Sequence, residues 1–321
     1  MIEAQNLTKV FKSFRKSFTA VDSISFRVEE GEVFGFLGPN AAGKTTAIRM
    51  ISGISRPTSG RVSVCGYDTI LNGVKARECV GLIPDTPGFY DEMKGLDVLC
   101  FYAEFYDIKK EERKRKAREL LETTGLTDFM NMRIKTYSHG MKKRLALASA
   151  LINDPKILIL DEPSTGLDPK GISLFRKMVK EMNQKGVTVF LSSHILSEVE
   201  QMCDRVCILN KGKIMGLDSV ENLSRKIGMK TRMNIFIDAE GITDTVLDSV
   251  KNLSDVLNVE KTGTGINVVC SRNVSSTVNE LLVRNGVKVK SIKTIEPSLE
   301  EIFLKLTGDK NEQLTGDKNE H

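Results

Sequence analysis

The sequence predicts an α/β domain built on a parallel sheet, followed by a smaller α+β domain. Three observations predict it. Ile157–Leu160 is a short continuous apolar run with β-branched residues, the pattern of a strand buried on both faces of a parallel sheet. A second apolar run, Val33–Leu37, leads into a glycine-rich stretch, Gly38 to Thr46, that opens a helix. Beyond about residue 217 the pattern changes to shorter alternating segments in the order β-α-β-β-α-β. At 321 residues, two domains are the natural expectation, with bounds at 1–216 and 217–306. Residues 307–321 complete a polar repeat, Leu-Thr-Gly-Asp-Lys-Asn-Glu, expected to be disordered.

Composition narrows the class. Hydrophobic residues make up 40% and charged residues 28%, with a net charge of +5, an ordinary globular balance that does not indicate a nucleic-acid binder. No apolar run approaches the roughly 20 residues that span a bilayer, and the N-terminal segment lacks the hydrophobic core of a signal peptide. A cytosolic chain is expected. Six cysteines are scattered, and the pair closest in sequence, Cys203 and Cys207, has no matching His or Cys pair. A structural zinc site needs about four ligands at short spacings, so reduced, buried thiols are expected. Three histidines put a histidine-rich metal centre out of reach.

In chain order, Leu7–Val10 and Ile24–Val28 read as strands, and Glu30-Gly31-Glu32 as a turn into Val33–Leu37. Phe11, Phe14 and Phe18 cluster between the first two. Gly38-Pro39-Asn40-Ala41-Ala42-Gly43-Lys44-Thr45-Thr46 fits GxxxxGK[ST] in a strand–loop–helix context. Successive backbone N–H groups and a helix N-terminus form an anion nest. Gly38 and Gly43 let the backbone approach phosphates closely. Lys44 adds a point charge on the β/γ oxygens, and the Thr45 hydroxyl can ligate Mg²⁺. The helix runs through Ile48, Met50 and Ile51 to Gly53, and Pro57-Thr58-Ser59-Gly60 turns into the strand Arg61–Val64. Residues 97–135 are strongly helical. Their dense charge run, Lys109–Arg118, mixes Glu with Lys and Arg and is expected to be a solvated helix face. After the polar loop at Tyr137–Met141, Leu145, Leu147, Ala148, Leu151 and Ile152 read as a helix that Pro155 stops. Asp161 and Glu162 then stand at a strand's carboxyl end, where α/β sheets hold ligands; a buried acid pair there needs a cation, a metal or a proton. A helix (Ile172–Gln184), a strand (Val187–Leu191) and Ser192-Ser193-His194 follow, and Ile208–Ile214 closes the domain as a hairpin.

Residues 136–171 resemble, without a break, the signature loop, Walker B strand and D-loop of ABC-type ATPases. Gly38–Thr46 and the Pro57–Gly60 turn resemble the same family. The resemblance implies a P-loop NTPase of ABC type, with a RecA-like parallel-sheet core, an antiparallel β subdomain and a helical subdomain over about 92–150. It also implies roles. Phe11 matches the aromatic that stacks on adenine, worth roughly 1–3 kcal/mol for a bare π-face, with Phe14 and Phe18 left mainly to packing. Asp161 holds Mg²⁺, and Glu162 polarises the attacking water as general base. His194 matches the histidine that contacts the γ-phosphate. Ser138 and the N–H of Gly140 bind the γ-phosphate held by a second protomer. Asp168 links the two sites.

Three positions depart from the family. Ala41 stands where glycine is usual; it keeps the N–H donor, so binding survives where its backbone angles are αR-compatible. Asp85, in Gly81–Tyr90, replaces the glutamine that reaches Mg²⁺ and water. It either substitutes as a carboxylate ligand or belongs to a loop that mainly serves coupling to a partner; the resemblance places a membrane subunit's coupling helix on this loop, through Leu96. His139 replaces the first signature glycine, at the loop edge, as a passive side chain or a pH-sensing one.

In the second domain, Val220–Ile227 reads as a linker helix ending near Gly228. Asn234–Ile237, Val256–Thr262, Ile266–Cys270 and Val287–Ile292 read as strands, with helices at Ile242–Leu253 and Val278–Arg284. That order suggests a ferredoxin-like unit. Ser298 and Glu301 form a capping box. Glu296 to Phe303 resembles the accessory domain that follows the ATPase in many prokaryotic exporter subunits, which implies a regulatory or dimer-contacting role.

The expected function is ATP hydrolysis in an ABC transporter, of exporter type, with ATP and Mg²⁺ as cofactors. The expected partners are a second copy, paired head to tail, and an integral-membrane permease on the inner face of the cell membrane, with no nucleic acid. Two rivals stand beside it: a non-transport ABC ATPase, which would usually carry a coiled-coil insertion or two cassettes, and a slow nucleotide-switch regulator, suggested by Asp85 and Ala41.

Overall fold

The computed structural model describes residues 1–13, 16–226, 233–295 and 298–307. The chain divides into two units, Met1–Leu217 and the remainder from Asp218. In the first, β1 (Ile2–Ser13), β2 (Lys16–Val28), β3 (Val33–Leu37), α1 (Lys44–Ile51), β4 (Ser59–Val64), β5 (Tyr67–Asp68), α2 (Gly73–Glu78) and β6 (Val80–Ile83) precede three helices, α3 (Gly95–Glu104), α4 (Lys110–Thr123) and α5 (His139–Ala150). Then come β7 (Ile157–Asp161), α6 (Pro169–Gln184), β8 (Thr188–Ser193), α7 (Leu196–Glu200), β9 (Arg205–Asn210) and β10 (Lys213–Asp218).

These strands make two sheets, one ordered β2-β1-β4-β5 and the other β10-β9-β3-β8-β7-β6. The first is antiparallel. In the second, β9, β3, β8, β7 and β6 are parallel. Every residue of β3, β7 and β8 is buried, as continuous apolar runs require. Phe26 of β2 brings the two sheets together, its ring 5.8 Å from Phe34 and 6.2 Å from Phe190. Burying each such ring contributes about 1.5–3 kcal/mol.

Helices α3, α4 and α5 pack around Leu99, Leu121 and Leu145, with Tyr137 in the same cluster. On α4 only Ala117 and Leu121 are buried, and the basic run spends its charge on neighbours such as Glu104, 3.1 Å from Arg113.

Strand β1 is longer than its apolar core, Leu7–Val10, suggests. Register shifts after Ala4 and Leu7, with Asn6 at φ +48°, hide the alternation from sequence. The first helix stops at Ile51, two residues short of expectation, because Gly53 turns left-handed (φ +71°). All six cysteines are free. Cys65 and Cys79, far apart in sequence, meet side chain to side chain, and burial pushes the Cys65 thiol up to about 12.

In the second unit, α8 (Val220–Lys226), β11 (Met233–Glu240), α9 (Asp244–Lys251), β12 (Val256–Thr262), β13 (Gly265–Cys270), α10 (Ser275–Arg284), β14 (Lys288–Ile295) and α11 (Leu299–Thr307) follow in order. The sheet runs β12-β13-β11-β14 and is antiparallel throughout, the ferredoxin-like arrangement with first and third strands central. Ile235, Ile237, Ile266 and Val268 meet Val250, Val278 and Leu282 from α9 and α10 in one core. Gly265 is obligatory, since a Cβ there would lie 1.9 Å from the Ile237 carbonyl oxygen. Ser298 Oγ accepts from the Glu301 N–H at 3.3 Å. Phe14, the linker end at Ile227 and Gly228, Glu296-Pro297 and the repeat beyond Thr307 lie outside the described residues.

Candidate nucleotide site

A cleft of about 420 Å³ opens where β3, β7 and β8 end, lined by Pro39 to Thr46 and by Asp85, Glu162, Thr165 and His194. Its floor depends on two glycines. A Cβ at Gly38 would lie 2.4 Å from the Leu209 carbonyl oxygen, and one at Gly43 (φ +106°) 2.3 Å from that of Ala20. Gly43 is also the N-cap of α1, with no side-chain cap, so the first-turn N–H groups are left to an anion.

Ala41 does not have the αR-compatible angles on which its tolerance was predicated. Its φ is +63°, the left-handed region that costs a residue with a Cβ roughly 1–2 kcal/mol. The loop forms with that strain, and the alanine keeps its N–H.

Lys44 is 6% exposed. Its Nζ donates to the carbonyl of Gly38 at 2.7 Å and of Pro39 at 3.3 Å, and lies 3.1 Å from Glu162 Oε1. A buried ammonium held in this way is a fixed positive charge at the mouth of the loop. Asp161 is buried at the end of β7. Its Oδ1 accepts from Ser192 Oγ at 2.6 Å and from Thr45 Oγ1 at 3.5 Å. Hydroxyl and carboxylate are the hard oxygens that Mg²⁺ takes. Among the described residues no three His, Cys, Asp or Glu side chains converge on a metal position, so a Mg²⁺ here would draw its other ligands from water and phosphate, as this ion commonly does.

Glu162 sits between two partners. One carboxylate oxygen meets Lys44, and the other lies 2.7 Å from His194 Nδ1 and accepts from the His194 N–H at 3.3 Å. Its backbone is left-handed, φ +48°, and its N–H donates to Ser192 O at 3.2 Å and Ser192 Oγ at 3.1 Å. A carboxylate positioned by a cation and an imidazole at the edge of a phosphate-type cleft is placed to take a proton from water.

The remaining expected residues lie elsewhere. Ser138 N-caps α5, accepting from the Met141 N–H at 3.2 Å, and neither it nor Gly140 lines the cleft. Asp168 N-caps α6, accepting from Gly171 N–H at 3.0 Å. His139, expected at the loop edge, is the first residue of α5, with Nε2 3.1 Å from the Thr165 carbonyl oxygen. Phe11 and Phe18 are cross-strand partners, and of the two it is Phe18, assigned to packing, that lines the cleft and is 61% exposed.

One residue escaped sequence reasoning. Lys143 is fully buried in α5, beneath the cleft. Its spacing to the buried Ala146, Leu147 and Ala150 (i+3, i+4, i+7) was the available signal.

Residues 21–165 match the ABC transporter family model. Over 315 residues the chain is 38% identical to the uncharacterized ABC transporter ATP-binding protein YhcH of Bacillus subtilis (strain 168), covering 98% of each. It is 33% identical to the linearmycin resistance ATP-binding protein LnrL of the same organism, covering 96% of this chain and 98% of the relative. It is 34% identical to the bacitracin transport ATP-binding protein BcrA of Bacillus licheniformis, covering 96% and 97%. Among solved structures, the dimeric, post-hydrolysis ATP-binding cassette MJ0796 bound to ADP and Pi superimposes with a TM-score of 0.64 at 25% identity, over 68% of this chain and 99% of that one.

Proposed function

The chain belongs to the family of ABC transporter ATP-binding proteins, and on that premise we propose that it works as a head-to-tail homodimer that drives a separate integral-membrane permease of exporter type. The observation that carries the reading is the convergence of Lys44, Thr45, Glu162 and His194 on one cleft at the ends of three adjacent strands, with the buried Asp161 behind Thr45. In this reading the N–H groups of Gly38 to Thr46 and Lys44 hold the phosphates, and Phe11 or Phe18 takes the adenine face. Thr45 and Asp161 would hold Mg²⁺, which would neutralise charge on the β- and γ-phosphates as ADP departs. Glu162 is the general base, and His194 fixes its carboxylate. Asp85 lines the same cleft, which favours a cation-facing role for its side chain.

Ser138 and Gly140 stand at the start of a helix away from their own cleft, a helix N-terminus available to the γ-phosphate of a second copy, with Asp168 on the same border. Beside the Asp85 loop lies an apolar groove of about 430 Å³, lined by residues that include Pro84, Pro87, Phe89, Tyr102 and Phe105. It suits a permease helix, and would hold the chain at the inner face of the membrane. Among the described residues no helix is long and apolar enough to cross a membrane. Relatives named for linearmycin resistance and bacitracin transport favour export.

Glu162→Gln should lower kcat by roughly 10²–10⁴-fold, the usual cost of losing a general base, with nucleotide binding retained. Turnover equal to wild type would remove Glu162 from this role, and a wild-type rate already as slow as the variant's would favour a nucleotide switch. Affinity capture of the Glu162→Gln chain from detergent-solubilised native membranes should recover a polytopic membrane protein in near-stoichiometric amount. Recovery of ribosomes or DNA alone would point to a non-transport ATPase.

A further inference from the structure

Lys143 has no exposed surface and does not line the nucleotide cleft, yet it connects two of its walls. Its Nζ donates to the carbonyl of Asp85 at 2.5 Å and to that of Glu162 at 3.2 Å. These carbonyls follow the ends of β6 and β7, neighbouring strands in parallel register from Val80–Ile157 to Ile83–Leu160. Burial pushes the ammonium down from its ordinary value, against the pull of Asp85, Asp161 and Glu162. A methionine of similar length would fill the space without that desolvation cost.

The backbone of Glu162 shows what the ammonium does. A left-handed glutamate persists only where its surroundings fix it. Ser192 fixes the Glu162 N–H from one side, and Lys143 fixes its carbonyl from the other. With both pinned, the side chain reaches Lys44 and His194.

We propose that Lys143 is a positioning residue for Glu162: one buried ammonium ties the Glu162 carbonyl to that of Asp85, so that the loop after β6 and the water-polarising carboxylate move together. The proposal rests on the reading of Glu162 as general base. A displacement of the loop would reach the base through this ammonium, which does not itself line the nucleotide cleft.

The test compares Lys143→Met, Lys143→Gln and Glu162→Gln in the full chain, reading kcat, equilibrium affinity for MgATP and the thermal midpoint. The expected result for Lys143→Met is a kcat about tenfold or more below wild type, nucleotide affinity within about twofold, and an unchanged or raised midpoint, since misplacing a reacting group is costly while an apolar isostere in place of a buried charge is often neutral or stabilising. Lys143→Gln, which keeps a donor, should fall between Met and wild type, and it is read by the same criteria if the Met variant does not fold. A kcat close to wild type in the Met variant, or one that falls only in step with the midpoint, overturns the proposal. A slow Glu162→Gln beside a fast Lys143→Met overturns the Lys143 tie alone, whereas a fast Glu162→Gln removes the base assignment and the tie with it.

Discussion

Ala41 shows how a residue-scale departure becomes an energy. Its N–H is retained, but its φ of +63° carries the left-handed penalty of a Cβ. Ala41→Gly should therefore raise stability by roughly 0.5–1 kcal/mol, the balance of relieved strain against the larger chain entropy of glycine. A thermal midpoint unchanged or lowered by the substitution would show that the loop relaxes around alanine without strain. The sequence marks Ala41 as a departure from the family but does not set its backbone angle, because a dihedral is set by the loop that must close around it. Ser192 behaves similarly. It was visible beside His194, yet its hydroxyl serves Asp161 and the Glu162 N–H, a task defined only when β7 and β8 lie side by side.

At the scale of elements, helix ends carry much of the organisation. Ser138 caps α5, Asp168 caps α6 and Thr243 caps α9, each by accepting a first-turn N–H. Ahead of α8, Ser219 Oγ accepts the Asn222 N–H at 3.2 Å, while the Asp218 carboxylate accepts from the Ser219 N–H and Asn222 Nδ2, both at 2.8 Å, and pairs with Lys226 at 2.8 Å. The hydrogen bond from Lys226, then that from Asn222, holds the Asp218 pKa down from 3.8 to about 2. A carboxylate that binds its proton less tightly when folded contributes stability above its ordinary value and loses it as pH falls through the depressed one. Asp218→Asn should thus flatten the fall in thermal midpoint between pH 3.8 and about 2. A fall as steep as wild type's in that window would show that Asp218 does not govern it.

On the scale of the whole molecule, the two units keep separate cores, one around Phe26, Phe34 and Phe190 and the other around Ile235, Ile266 and Val268. The chemistry-bearing residues all lie in the first. A chain ending at Leu217 should fold cooperatively and bind MgATP with affinity close to that of the full chain, by calorimetry and equilibrium titration. Aggregation of that fragment, or loss of binding, would show that the first unit depends on the second for its fold or its site.

The sequence by itself determined the central strands and the residue types at their ends: continuous apolar runs fix the buried strands β3, β7 and β8, Gly38 and Gly43 fix a loop that only glycine can close, and Asp161 and Glu162 stand at a strand end whatever surrounds them. Those signals are local, carried by residues adjacent in the chain. Tertiary structure decided what local signals cannot hold. It put Phe18, beside the expected Phe11, at the cleft wall, because β1 and β2 pair with these two residues opposite each other. It brought the free thiol of Cys65 beside that of Cys79. It also placed Lys143 between Asp85 and Glu162, because one buried ammonium can satisfy two loops only after the helix that carries it has packed beneath both strands.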